Sequence, residues 1–185
     1  MKAIFIALAI LFSMNAFAAD QQQPSQPKVK VPLKVQALYA VVVSTGLCFP
    51  SDDEDYQPQE YTVDATTKLY LLNCIAGAYN TNSLGYLYSD DGTTQWVTQV
   101  SILTLQQDEK GKNYLTPSFE LINAYFDESA KTLGTMSLAR SLADCGQSTL
   151  SQISSDAVKT LKIWDKQDCD GKGEPADWPL AWEQK

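Results

Sequence analysis

The chain has no histidine, a single arginine (Arg140), and no long apolar run beyond its first dozen residues. Without His, Ser-His and Cys-His activation of a nucleophile is excluded, and the commonest metal ligand is missing as well. Basic residues are scarce: 14 Lys and Arg stand against 22 Asp and Glu. That balance is unfavourable for nucleic acid or anionic lipid, both of which recruit cationic side chains. The first apolar run is too short to span a bilayer as a helix, which takes about 20 residues, and no later stretch is long and uncharged enough. The polar finish Trp182-Glu183-Gln184-Lys185 is also unlike the closing strand of an outer-membrane barrel.

What is present begins with an export signal. Lys2, the apolar run 3–12 and the small-x-small site Ala16-Phe17-Ala18 together predict a secretory signal peptide over residues 1–18, cleaved after Ala18. No Cys follows the cleavage site, which argues against a lipid anchor there. The expected product is soluble and periplasmic. Loss of Lys2 leaves 13 basic against 22 acidic residues, a net charge of −9 that favours a cationic partner.

Four cysteines remain, Cys48, Cys74, Cys145 and Cys169, an even number in an exported chain. Two disulfides are the expectation, with three connectivities open. Pairing Cys48 with Cys74 and Cys145 with Cys169 is preferred, because both pairs close similar loops in separate halves of the chain. A four-thiolate zinc site is the competing reading, but no two cysteines have the close spacing that such sites use.

Three segments follow: the signal peptide 1–18, a flexible polar N-terminus 19–30, and one disulfide-bonded domain over 31–185. Residues 31–45 admit a helix with Pro32 in its first turn, or a strand through Val41-Val42-Val43; helix is preferred for the first part. An acidic loop, Ser51-Asp52-Asp53-Glu54-Asp55, comes next. Thereafter short β-like runs alternate with turn residues. Residues 68–74 (KLYLLNC) are apolar on both faces and suit a central strand. Residues 84–88 form a second run, closed by Ser89-Asp90-Asp91-Gly92. Residues 96–105 alternate as a third run, with Trp96, Val100 and Ile102 on one face and Gln99 and Ser101 on the other. Residues 119–126 and 133–139 flank a polar hairpin loop, and Leu161 and Ile163 mark a late strand. The predicted fold is mainly β, an antiparallel meander or barrel-like sheet with a short N-terminal helix and two disulfides.

Few residues invite a chemical role. Asp168-Cys169-Asp170-Gly171-Lys172-Gly173, with Asp177 beyond, resembles a calcium loop, in which alternating carboxylates around a sharp glycine turn converge on one cation. Lys166, however, stands where the first carboxylate ligand belongs, and Asp165 is one residue out of register. Asp168, Asp170 and Asp177 are the candidate calcium ligands, set against the plainer reading of an Asp/Gly turn pinned by Cys169. The run Asp52 to Asp55 is a candidate surface for a cationic partner, set against an ordinary solvated loop. Trp164, Trp178 and Trp182 form either a flap over the core or an exposed aromatic face. Arg140 and Asp144, four residues apart, form either a structural ion pair or an anion-gripping site.

Three motifs then combine: C-x-x-G-A-Y-N at 74–80, D-C-G at 144–146, and C-D-G-K-G at 169–173 followed by Trp178-Pro179 and Trp182. In this order, over about residues 60–183, the chain resembles a bacterial exported family known as domain of unknown function 1176. Where that family carries a Gly-Arg-Gly-Leu-Gly-like run before D-C-G, this chain keeps Arg140 and Leu142 but has Ala139, Ser141 and Ala143. The resemblance implies an envelope protein and supplies no catalytic residue. Tyr79 and Asn80 join Arg140, Asp144, Trp178 and Trp182 as candidate binding residues.

The functional expectation is a non-enzymatic periplasmic binding module, an inhibitor or immunity-type protein for a cationic envelope hydrolase or toxin, with no cofactor and no membrane insertion. Two alternatives stand beside it: a calcium-stabilised structural or stress-related envelope protein, and a small hydrolase using a carboxylate pair.

Overall fold

The computed structural model describes residues 29–51 and 56–185. The signal peptide, most of the polar N-terminus and the acidic run 52–55 lie outside the described residues. A helix α1 (Leu33–Ser44) precedes twelve strands. The first sheet is a meander of β1 (Gln59–Thr62), β2 (Thr67–Ala76), β3 (Thr81–Asp90) and β4 (Gln95–Gln99), with β7 (Glu120–Ile122) also on β3. The second runs in the order β12 (Leu180–Glu183), β11 (Val158–Lys166), β10 (Gly146–Ile153), β9 (Thr132–Leu138), β8 (Tyr125–Asp127). A hairpin of β5 (Ile102–Gln107) and β6 (Asn113–Ser118) is separate from both. Every pairing is antiparallel.

The doubly apolar β2 organises the whole. Strand residues alternate between faces, so Leu69 and Leu71 point one way, into a core with Leu87, Val100, Leu121, Phe126, Leu133 and Ile153 drawn from both sheets. Tyr70, Leu72 and Cys74 point the other way and meet Val35, Tyr39 and Val42 of α1. Each such fully buried aliphatic side chain stabilises the fold by roughly 1.5–3 kcal/mol. The helix extends through the β-branched Val41-Val42-Val43, because packing against the sheet outweighs a small propensity difference.

Disulfides join Cys48 to Cys74 and Cys145 to Cys169, with Cα atoms 4.8 and 4.9 Å apart. The first ties the chain leaving α1 to β2. The second ties the turn before β10 to the segment after β11.

Two expected runs are divided. Residues 96–105 break at Val100 and Ser101, where the chain leaves the first sheet. Val100 still bonds Gly85, but the Leu103 N–H donates to the Thr160 hydroxyl and the Leu105 N–H to the Gln147 side chain, both on the second sheet. Residues 119–126 break at Asn123, which has φ +44°, so that β7 serves the first sheet and β8 the second.

The acidic composition has a local cause. Asp64, Asp91, Asp108 and Asp127 each sit in a hairpin connection and accept two turn N–H groups. These four of the 22 acidic residues are therefore turn chemistry spread around the molecule.

Candidate functional site

Five of the six candidate binding residues converge on the turn between β9 and β10. Arg140 Nε donates to Asp144 Oδ1 at 2.7 Å, and its terminal nitrogen bridges Asp144 Oδ2 and the Cys169 carbonyl. Asp144 is buried and also accepts the Gly171 N–H at 2.6 Å. The guanidinium, with that amide, holds the Asp144 carboxyl well below the usual carboxylate range. Asn80 donates to the Leu138 carbonyl and accepts from the Leu138 N–H, at 2.8 and 3.0 Å. The Tyr79 hydroxyl reaches the Ala139 carbonyl at 3.4 Å. Trp178 is buried behind Gly146, while Trp182 stands apart on β12, opposite Ile163.

Gly146 explains the last letter of D-C-G. Its φ is +144°, and a Cβ there would lie 2.1 Å from the Ser137 carbonyl oxygen and 3.0 Å from the Trp178 ring. Ala143 holds φ +55°, a left-handed conformation that costs an L-residue about 1 kcal/mol.

The calcium-like loop is organised around a side-chain cation of the chain itself. Lys166 Nζ donates to the Asp170 carboxylate and to the carbonyls of Asp144 and Lys172, at 2.7, 2.7 and 2.8 Å. This ammonium holds the Asp170 carboxyl below its ordinary value. Asp168 is exposed, and Asp177 accepts the Glu174 N–H in the short 3-10 turn Pro175–Asp177. Among the described residues, no three Asp, Glu or Cys side chains gather in a way that could hold a metal ion. The motif residues thus form a clasp in which polar groups face one another.

A second polar region is different. Where β2 outruns β1, a cleft of about 310 Å³ opens against the first sheet. Asn73, Thr81 and Ser83 line it from β2 and β3, Asn123 closes one wall, and Tyr56, Gln57 and Gln59 approach from the segment entering β1. Among the described residues, none that lines it carries a formal charge. Asn73 is only 8 % exposed, and neither its amide nitrogen nor its amide oxygen has a hydrogen-bond partner among the described residues. A buried amide left so costs about 1–3 kcal/mol. The Tyr86 hydroxyl and Trp178 Nε1 are likewise unpartnered, but neither lines this cleft.

The family motif buttresses the cleft from behind. Asn123 Oδ1 accepts the Thr81 N–H at 2.9 Å, and its Nδ2 donates to Asn80 Oδ1 and the Met136 carbonyl, both at 2.9 Å. The Tyr39 hydroxyl of α1 donates to the Asn73 carbonyl, beside the bulge that follows Asn73 in β2. Helix and motif therefore fix the two walls. Another cleft between β5 and the second sheet, about 220 Å³, is also polar, but its groups pair internally: Thr135 with Thr149 at 2.6 Å, and Gln147 with the Leu105 backbone. Sequence reasoning missed the Asn73 cleft. Its one signal was a lone amide in the otherwise apolar stretch 69–74.

No solved structure matches the chain. The Escherichia coli K12 protein YpfG, itself described as uncharacterised, is 28 % identical over 127 residues, covering 67 % of this chain and 35 % of that protein. The chain thus spans about a third of that relative's length. No helix among the described residues is long and apolar enough to cross a membrane, and both disulfides suit an oxidising compartment. With the clasp motifs in place and a profile match over residues 14–185, the chain belongs to the family described as protein of unknown function (DUF1176).

Proposed function

We propose that the chain is an exported, non-catalytic binding module of the cell envelope that engages a cationic protein partner. One observation carries the reading. Leu47 and Phe49 are 69 % and 67 % exposed, on either side of the buried, disulfide-bonded Cys48. Large apolar side chains held out on a covalently pinned segment suit an interface anchor. In sequence they are followed at once by the acidic residues Asp52 to Asp55. An apolar anchor next to a run of acids has the chemistry for a basic protein surface, with charge setting the approach and apolar contact the residence.

The leader and the two disulfides support a periplasmic location for this activity. The calcium-stabilised alternative has less in its favour, since Lys166 already neutralises Asp170. The test is co-elution of the oxidised protein with basic envelope hydrolases at low salt. A complex that weakens as salt rises, and that is lost in the Leu47→Ser, Phe49→Ser double variant, supports the reading. Absence of any complex at low salt, or one indifferent to both substitutions, removes it.

A further inference from the structure

We propose that the Asn73 cleft is a binding site for a neutral, polyhydroxylated ligand, a short segment of uncharged glycan. This rests on the binding-module reading but on a different surface from the Leu47 and Phe49 anchor.

Three observations point to that ligand class. First, Asn73 holds one donor group and one acceptor group that no described residue satisfies, and it lines a cleft whose size lies at the lower end of small-ligand sites, about 300 Å³. Second, the lining is carboxamides and hydroxyls without charge, from Asn73, Thr81, Ser83, Gln57 and Gln59. A carboxamide offers a donor beside an acceptor, and a sugar hydroxyl both gives and takes a hydrogen bond, so a pair of hydroxyls can satisfy both ends of one amide. An anionic or cationic ligand would be desolvated here with no counter-charge among the described lining residues, which is expensive. Third, Leu71 and the Tyr56 ring supply apolar surface of the kind that packs against the C–H face of a sugar ring.

A peptide could also satisfy amides, but it commonly adds as a strand to an open sheet edge. Where β2 runs past β1, the Asn73 carbonyl is taken by the Tyr39 hydroxyl and the Cys74 carbonyl by the Phe49 N–H at 2.8 Å. On the other side β3 pairs with β2 through Asn73 and Ser83. Two carbonyls that an added strand would use are thus occupied, which disfavours strand addition and favours side-chain recognition of a glycan.

The test is titration of the oxidised, isotope-labelled protein with chitotetraose, cellotetraose and maltotetraose, following the Asn73 side-chain amide by NMR. At least one of the three should shift that signal saturably. Binding of that sugar should weaken at least tenfold in Asn73→Leu and in the isosteric Thr81→Val, with Asn73→Leu melting no lower than the parent and Thr81→Val within a few degrees of it. No saturable shift with any of the three sugars overturns the proposal. So does unchanged affinity in both variants, or tighter binding of tetra-alanine at the same amide. If a basic protein is still captured by Asn73→Leu while all three sugars fail, the binding-module reading stands and the glycan site alone is lost.

Discussion

The clasp at residues 140–178 and the cleft at Asn73 are both polar, both sit at ends of β-strands, and are linked through the hydrogen bond from Asn123 to Asn80, yet they are built on opposite terms. In the clasp the charged side chains of Arg140, Lys166 and Asp144 meet partners inside the protein, while the buried Trp178 Nε1 is without one among the described residues. Arg140 is spent on Asp144 and Cys169, Lys166 on Asp170 and two carbonyls, and Asp144 on Arg140 and Gly171. In the cleft a buried amide has no such partner among the described residues. Charged, conspicuous residues can thus be the quiet part of a molecule, and neutral ones the part left open for something else. Buried polar groups in folded proteins are almost always satisfied, so an exception that lines a cleft asks for a ligand.

If that contrast is right, the clasp should be costly to disturb. Gly146→Ala places a methyl group against a backbone carbonyl that cannot swing away, so a loss of about 3 kcal/mol or more is expected in urea unfolding. An alanine there that leaves the midpoint unchanged breaks the clasp account. Replacing Cys145 and Cys169 together by Ser should cost slightly less, about 3 kcal/mol, through the loop of 24 residues it releases.

Acid sharpens the contrast further. Asp144, Asp170 and the turn residues Asp64, Asp91 and Asp127 all have native carboxyls below their ordinary value of 3.8, by ion pairing in the first two and mainly by turn hydrogen bonds in the rest. Above 3.8 both folded and unfolded chains are ionised and the stabilisation is fully present. As pH falls below it, the unfolded chain takes up protons that the native chain refuses, and stability is lost. Melting temperature should therefore drop steeply between about pH 4 and pH 2, and less steeply in Asp144→Asn. A slope unaffected by that substitution would mean that Arg140 does not govern the carboxyl. The smallest effect expected is a gain: Ala143→Gly relieves a left-handed residue and should raise stability by about 0.5–1 kcal/mol, measured by the same unfolding.

Much of the architecture was legible in the sequence because it rests on local chemistry. The two-faced run 68–74 reads as a central strand since no polar residue interrupts it before Asn73. Cysteine spacing favoured the correct pairs. The β10 strand was illegible because Gln147, Ser148, Thr149, Ser151 and Gln152 look like loop residues. Cross-strand pairs such as Thr135 with Thr149 and Ser151 with Thr160 satisfy their hydroxyls, which lets so polar a strand lie inside a sheet. The break at Val100 was hidden for another reason: the alternation continues, with Val100 and Ile102 both buried, and only the partner sheet changes; at Asn123 the left-handed residue reverses the alternation, so that Leu121 and Phe126 both enter the core while Tyr125 stays exposed. Sequence reasoning drew attention to Arg140, Asp144 and the calcium-like aspartates because charge is conspicuous. Asn73 attracts notice only once its missing partners can be seen.

The most direct test of the account is the melting temperature of Asn73→Leu under oxidising conditions. Leucine has nearly the shape of asparagine and no polar group to leave unsatisfied, so the account predicts a higher melting temperature than that of the parent protein, by a few degrees. A lower one would show that the Asn73 amide already has its partners within the fold and that the cleft is not waiting for a ligand.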